Sequence, residues 1–333
     1  MRIFKDTKYD FLRWRWHAIG LSLLVIAIGV GSIAGRGIPM GVEFAGGTVV
    51  IAGFDEQPTI EQVRSALSDS FSGQTVVVQT YGDVEFRQVM IRVPEVGEET
   101  GNQLGAAAVK VETALREASL GDFEVVGTEI VGPAVGRELT SKGISATLLS
   151  LGGILLYLTF RYQLSFAVGA VVATIHDLVI TFSFLSFFQV DMTLNVIAAV
   201  LTVAGYSSND TIVVFDRVRE NLRGMRRDTL KQVINVSINQ TLGRTIITSG
   251  TTLFSALALF LFGGEVLRGF AFVLLVGVVT GTYSSVFIAA TVVTFWRGKG
   301  PAKAAARAPA SAATVSPNQP TRRSKPARKA RAS

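Results

Sequence analysis

The chain has no cysteine and only two histidines, His17 and His176. Disulfides, thiolate metal sites and cysteine nucleophiles are therefore excluded, and two imidazoles are too few for most metalloenzyme sites. Charge is also scarce, because Asp, Glu, Lys and Arg make up 17% of the residues while hydrophobic residues make up 49%. This composition argues against an ordinary soluble domain. We expect no metal ion and no cofactor.

Charge is missing above all from six long runs. Roughly 20 apolar residues in a helix cross the hydrocarbon of a bilayer. We predict a polytopic α-helical membrane protein with spans at residues 18–36, 141–161, 164–188, 193–214, 244–262 and 269–296. The first run could instead be a removed secretory leader, since basic residues precede it and small residues follow it, but five further spans favour an uncleaved anchor.

The basic residues indicate which ends of the spans face the cytoplasm. They concentrate in residues 1–17, in a predicted cytoplasmic loop at 215–243 and in the tail 297–333, which holds ten Lys or Arg and no acid. We therefore predict that both termini are cytoplasmic. The tail is rich in Ala, Pro and Ser, which favours a disordered extension. It serves as a topology signal alone, or it also contacts anionic lipid or ribosomal RNA.

Residues 37–140 are predicted to form a periplasmic domain on the opposite side. Its residues 37–138 carry 16 Asp or Glu against 6 Lys or Arg. We predict strands at 48–54, 75–80, 85–93 and 123–131, with helices from Ile60 and near 106–119. The order βαββαβ is typical of a ferredoxin-like α+β sandwich. Thr59 and Gln62 have capping-box spacing at the first helix. Because no nucleophile or acid pair converges in this domain, we expect a binding or moving module and no catalytic residue.

Ionisable side chains at bilayer depth cost about 2.5 to 3.5 kcal/mol each on insertion scales, so they suggest function. His176 and Asp177 lie midway along the third span, Asn209 and Asp210 lie in the fourth, and Arg244 opens the fifth. Spans four and five are antiparallel, so Asp210 and Arg244 can pair, and protonation of Asp210 would weaken that pair. We interpret these five residues as a candidate proton relay. Purely structural polar contacts are the alternative.

Further polar residues follow Arg244 at helical spacing. Thr248, Thr251 and Ser255 fall on one face and form a candidate water path. Alternatively, their hydroxyls bond carbonyl groups of their own helix. In the sixth span, Gly277 and Gly281 have the G-x-x-x-G spacing that predicts close helix packing.

Several strings resemble one protein family. They are GVEFAGG at 41–47, VGPAVGREL at 131–139, IHD at 175–177, GYSSNDTIVVFDRVRENLR at 205–223, INQTLGRT at 238–245 and FGGEVLRGFA at 262–271. In order and spacing they resemble the SecF family of bacterial protein export, which is part of the resistance-nodulation-division superfamily. The resemblance runs from about residue 9 to 296. Glu43, Ala45 and Gly243 depart from the usual family residues, and none of them is a candidate relay group.

The resemblance implies a function and a set of partners. It implies a bacterial inner-membrane protein that pairs with SecD and uses the proton-motive force to assist preprotein translocation through the SecY, SecE and SecG channel, after insertion driven by SecA. YajC, YidC and membrane lipid are further partners, with no specific nucleic acid. The family's proton pathway falls on Asp210 and Arg244, and its glycine motif falls on Gly46 and Gly47.

Three other readings remain open from the sequence. An intramembrane aspartyl protease would use Asp177 and Asp210, although neither lies in a protease motif. A small-molecule exporter of the same superfamily would share the fold and the relay, but usually has twelve spans in one chain. A passive assembly factor would use its intramembrane charges only to dock SecD.

Overall fold

The fold is taken from a computed structural model that describes residues 7–72, 76–82, 84–94 and 101–297. Residues 1–6, Thr75 of the second predicted strand and the predicted tail from residue 298 lie outside the described residues. The elements in chain order are α1 (Arg15–Arg36), α2 (Val42–Ala45), β1 (Gly47–Phe54), α3 (Ile60–Ser68), β2 (Val77–Tyr81), β3 (Gln88–Val93), α4 (Gly101–Glu117), β4 (Phe123–Val131), α5 (Pro133–Arg161), α6 (Leu164–Phe188), α7 (Leu194–Gly224), α8 (Leu230–Phe262), α9 (Gly264–Ser284) and α10 (Ala290–Arg297). A π turn at Ser285–Ala289 joins α9 to α10.

The sheet domain, β1 to β4 with α3 and α4, has the predicted ferredoxin-like arrangement. Its sheet is antiparallel with strand order β2-β3-β1-β4, and β1 pairs with both β3 and β4. Alternate residues of β1 and β3, among them Val50 and Ile91, pack against Val63 and Leu115 of the two helices. Thr59 and Gln62 form the predicted capping box. β3 begins three residues later than predicted, because a 3₁₀ turn and Arg87, at φ 48°, precede it.

The helix bundle contains the six predicted spans. Among the described residues, six helical segments are long and apolar enough to cross a membrane, and α9 with α10 forms the sixth. α6, α7 and α9 make up the buried centre, α1 packs on α6, α8 packs on α7 and α9, and α5 lies at the margin. A Cβ atom on Gly277 of α9 would lie 2.2 Å from the Val203 side chain of α7. The G-x-x-x-G glycine thus serves close packing within the chain.

α1 belongs to this bundle. Gly29 lies so close to α6 that an added Cβ would be 2.0 Å from the side chain of Ser183. Ser22, on the same face of α1, hydrogen-bonds His176. α1 is thus packed into the bundle, and its retention as an uncleaved anchor stays a prediction.

The prediction of a loop at residues 215–243 is wrong, because most of this segment is helical. α7 continues to Gly224 and α8 begins at Leu230, so only residues 225–229 connect them. Val214, Val218 and Leu222 of α7 face Val233, Ile234 and Ile238 of α8 in one buried cluster. The basic side chains at the end of α7 and the start of α8 lower the average hydropathy there. The apolar residues of both segments nevertheless recur at helical spacing, and they pack against each other as a helical hairpin. Thr229 and Gln232 form a second capping box that starts α8.

Contacts of Arg92 and of the segment between α1 and α2 join the sheet domain to the helix bundle. Arg92 of β3 forms an ion pair with Asp191, between α6 and α7, at 2.6 Å, and donates to the Met40 carbonyl at 3.0 Å. The Gly41 amide donates to the Met192 carbonyl at 2.8 Å. Beside these contacts, a cavity of about 440 Å³ separates the uncovered face of the sheet from the ends of α6, α8 and α9.

Candidate functional site in the helix bundle

Asp210 of α7 lies at the meeting point of three elements. Its side chain is buried, with 6% of the residue exposed. Thr245 of α8 donates to Oδ1 at 2.9 Å, and Ser285 of the π turn donates to Oδ2 at 2.8 Å. Each carboxylate oxygen therefore has one hydroxyl donor. A buried carboxylate held only by neutral hydroxyls can gain or lose a proton without breaking an ion pair.

The other members of the predicted relay near Asp210 lie at the surface of the chain. Arg244 and Asn209 are exposed. Successive residues of a helix point about 100° apart, and Thr245 rather than Arg244 makes the direct hydrogen bond to Asp210. The ion pairs found within the described ranges include none between Asp210 and Arg244. Arg244 is thus one residue away from a direct ligand of Asp210, at the outer edge of the same site.

The predicted water path also lies on the outer face of α8. Thr248, Thr251 and Ser255 are exposed. Their hydroxyls donate to carbonyl oxygens of their own helix, at Arg244, Ile247 and Thr251 respectively. These contacts are the ones expected from the alternative interpretation, in which the hydroxyls bond carbonyl groups of their own helix. A water path along this face therefore stays a prediction, and it requires another chain to cover the face.

A second polar face of α8 turns inward, and it was not predicted from the sequence. Ser249, one turn after Thr245, hydrogen-bonds Thr282 of α9 at 2.7 Å, and the Tyr206 hydroxyl of α7 donates to Ser249 at 3.1 Å. Together with Asp210 and its ligands, these groups form a polar track between α7, α8 and α9. The i, i+4 spacing of Thr245 and Ser249 was the available signal, but the adjacent stripe starting at Arg244 has the same spacing.

Asp177 of α6 forms a second buried polar centre. The residue is 0% exposed. Ser207 of α7 and Ser284 of α9 donate to its Oδ2 at 2.5 and 2.6 Å, and His176 Nδ1 lies 2.9 Å from Oδ1. His176 Nε2 lies 2.9 Å from Ser22 Oγ of α1. One carboxylate and its neighbouring imidazole thus connect α1, α6, α7 and α9.

Gly46 and Gly47 lie outside the bundle, in the turn between α2 and β1. Their φ angles are 74° and 117°, in the region where side chains other than glycine are strained. The helix α5 begins directly beside this turn: a Cβ on Gly136 would lie 3.1 Å from the Phe44 carbonyl oxygen. The glycine pair therefore sets how the chain passes from α1 into the sheet, close to where it returns into α5.

Comparison with known proteins identifies the family. Residues 110–299 match the model of the protein export membrane protein SecD/SecF, C-terminal, and residues 31–58 match the SecD/SecF GG motif. The protein translocase subunit SecF of Desulfurispirillum indicum is 44% identical over 294 residues, which cover 86% of this chain and 91% of that protein. The chain belongs to the SecF family. The SecF of Pseudomonas aeruginosa is also 44% identical, over 288 residues, which cover 86% of this chain and 90% of that protein.

A solved structure supports the same assignment. The crystal structure of SecDF from Thermus thermophilus, a translocon-associated membrane protein, matches with a TM-score of 0.77 and 32% identity over 89% of this chain. This SecF-family chain spans 40% of the length of that SecDF chain. The matched segments of the two family models include the glycine pair and all the candidate relay residues. The chain is a multi-pass membrane protein of the SecF family.

Proposed function

We propose that this chain pairs with SecD in the bacterial inner membrane and uses the proton-motive force to assist preprotein translocation. In this proposal the preprotein passes through the SecY, SecE and SecG channel after SecA has driven its insertion, and YajC, YidC and membrane lipid are further contacts. The chain itself is non-enzymatic and needs no cofactor or metal. The observation that carries the proposal is the Asp210 site, a buried carboxylate in a membrane-spanning helix whose direct ligands are neutral hydroxyls.

The proposed relay consists of two centres. Asp210 exchanges the proton, and the exposed Arg244 and Asn209 beside it form the outer edge of the site. Asp177 with His176 is the inner centre. One proton that crosses a potential of 100 mV releases about 2.3 kcal/mol, which changes a two-state equilibrium by some tens-fold. Several protons per cycle would then supply useful work.

The outer face of α8 supports a partner in the membrane. Arg244, Thr248, Thr251 and Ser255 are exposed on α8, one of the six helical segments that are long and apolar enough to cross a membrane. A cation and hydroxyls are poorly solvated by lipid tails, and such residues normally face other helices or a water-filled cavity. We propose that SecD covers this face, so that the predicted water path runs between the two subunits and reaches Asp210 from the side of Arg244.

The orientation proposed from the basic residues also has support from contacts. Asn239 of α8 bonds both backbone groups of Tyr9, and Asn235 accepts from the Phe11 amide. These bonds hold the segment before α1 against the start of α8. The described part of the N-terminal segment and the start of α8 therefore lie together, as expected if the N-terminus and the α7–α8 turn share the cytoplasmic side.

The function is tested by precursor processing in cells depleted of their own SecF. Cells receive the parent chain or Asp210→Asn, and pulse-chase labelling follows how fast an exported precursor is cleaved. We expect Asp210→Asn to leave precursors uncleaved at least about tenfold longer, because an amide keeps the shape but cannot cycle a proton. Membrane levels and co-purification with SecD should equal those of the parent.

Asp216→Asn is the matched control on the same helix. Asp216 accepts from Tyr162 near the end of α7; burial and this carboxylate raise the pKa of Tyr162 to about 12. The same chemical change outside the buried site should leave processing within about twofold of the parent. If Asp210→Asn assembles and also processes precursors at the parent rate, the carboxylate is structural and the chain acts as a passive docking subunit.

A further inference from the structure

The last span contains an interruption beside both carboxylates. α9 ends at Ser284, and residues Ser285–Ala289 form a π turn before α10 continues the span. Four of the five residues of this turn are buried. A π turn accommodates an extra residue at the expense of regular helical hydrogen bonding, and such turns are often found at functional sites. Here the turn starts at the point where the helix reaches the polar groups.

Two adjacent serines at this junction serve two different carboxylates. Ser284 donates to Oδ2 of Asp177 on α6, at 2.6 Å, and Ser285 donates to Oδ2 of Asp210 on α7, at 2.8 Å. Both serines are fully buried. Neighbouring side chains on a helix diverge by about 100°, which allows a single helix to reach a carboxylate on each side. One peptide unit therefore connects the two buried acids.

Each serine has an alternative partner within its own span. Ser284 also lies 3.2 Å from the Gly281 carbonyl oxygen, and Ser285 lies 3.0 Å from the Thr282 carbonyl oxygen. A hydroxyl has one proton, so it donates mainly to the carboxylate or mainly to the carbonyl. A protonated carboxyl group is neutral and is a weaker acceptor than a carboxylate. After protonation, the serine hydroxyl can therefore donate to the carbonyl group instead.

We propose that Ser284 and Ser285 are positioning residues that couple the protonation states of Asp177 and Asp210 through the π turn. The proposal rests on the proposed function and specifies how its two centres communicate. A hydronium ion transfers its proton to one carboxylate oxygen of Asp210 and becomes water, no other covalent bond changes, and the Ser285 hydroxyl turns to the Thr282 carbonyl oxygen. Because Ser284 shares a peptide unit with Ser285, its geometry at Asp177 changes in the same step.

The charged and titratable groups around this pair are few in the described part of the chain. His176 lies against Asp177, and Tyr283 of α9 reaches it through Ser22. Arg244 of α8 lies at the outer edge of the Asp210 site, and Tyr206 lies one turn before Asp210 on α7. The direct ligands that α7, α8 and the π turn supply to the two acids are neutral hydroxyls, on Ser207, Thr245 and Ser285.

Infrared titration of the purified complex with SecD tests the coupling directly. The carbonyl stretch of a protonated carboxyl group is followed against pH, and the Asp210 band is the one that Asp210→Asn removes. We expect Asp177→Asn to change the proton affinity of Asp210 at least about threefold when both serines are present. In the Ser284→Ala, Ser285→Ala background the same substitution should change it less than about 1.5-fold.

Two further variants separate coupling from folding. Ser237→Ala removes a buried serine of α8 whose partners are the Val233 carbonyl group and Asn221, and should preserve the threefold effect. Ser285→Thr keeps a hydroxyl donor and should preserve most of the effect of Asp177→Asn on the proton affinity of Asp210. This variant still tests the proposal if the double serine variant does not fold. Equal coupling with and without the serines, or no coupling in the parent, overturns the proposal. The infrared titration needs no transport. A failure of the coupling can therefore be told apart from a failure of the proposed function, which would appear as precursor processing that does not depend on Asp210.

Discussion

The core of the sheet domain is apolar, whereas the helix bundle buries polar side chains among its apolar ones and also exposes large apolar residues. Val50, Ile91 and Leu115 fill the interior of the sheet domain. The bundle exposes Leu149 and Phe160 of α5 on its surface and keeps Asp177 at its centre. In water, apolar burial drives the first arrangement. Lipid gives helices no such drive, so close packing and internal polar contacts decide the second. An unpaired carboxylate would therefore destabilise the sheet core, whereas the bundle holds the carboxylate of Asp177 with two serine hydroxyls and His176.

The largest effects are expected from a charged residue placed in the apolar core of the sheet domain, and from an apolar residue placed at a polar centre of the bundle. Ile91→Asp puts an unpaired charge into the sheet core, and Asp177→Leu leaves Ser207, Ser284 and His176 without their acceptor. Each should destabilise its region by about 3 kcal/mol or more. Thermal unfolding of the purified complex, followed by size-exclusion chromatography, measures both. Ile91→Val, at about 1 kcal/mol, is the conservative control. An Asp177→Leu protein as stable as the parent would contradict the comparison.

An intermediate effect is expected from helix packing in the bundle. Gly277→Ala places a methyl group 2.2 Å from the Val203 side chain, so α7 and α9 must separate. We expect a loss of about 1 to 3 kcal/mol, because overpacking forces backbone shifts. Gly250→Ala on α8 is the matched control, since no described atom outside its own helix lies within 4 Å of the added methyl group. Equal unfolding temperatures for the two variants would show that α7 and α9 are not held by close contact.

The smallest effect is expected at the two capping boxes. Thr59→Ala removes the cap of α3 in the sheet domain, and Thr229→Ala removes the cap of α8 in the bundle. Loss of a cap costs about 1 kcal/mol. Hydrogen exchange should show faster exchange across the first turn of each helix, with the rest of α8 still protected by its packing on α7 and α9. Fraying of all of α8 would mean that the cap, rather than packing, maintains that helix.

The sequence was sufficient for much of the architecture. The six spans follow from hydropathy, and β4 begins and ends at the predicted residues because its β-branched alternation is bounded by turn residues. The capping box at Thr59 was visible as a local pattern. The helical hairpin of α7 and α8 was not predicted. The segment is basic, so its average hydropathy is low, and averaging hides the helical spacing of its apolar residues.

The site was only partly predictable, for a geometric reason. Asp177 and Asp210 stand out as carboxylates at bilayer depth, so their positions alone suggested function. Their ligands come from α7, α8, α9 and the π turn, and such long-range contacts leave no local pattern. For α8, periodicity defined two polar faces but gave no reason to choose between them. Packing decides that the face of Thr245 and Ser249 turns inward.

The central claim is that Asp210 exchanges protons across the membrane, and proton flux tests it most directly. The chain and SecD are reconstituted together in vesicles that contain a pH-sensitive dye, in sodium-free buffer, and a proton gradient is imposed. We predict that the parent and Asp216→Asn discharge the gradient at similar rates, and that Asp210→Asn slows the discharge at least about tenfold because the amide cannot carry the proton. Equal discharge by Asp210→Asn would contradict the claim.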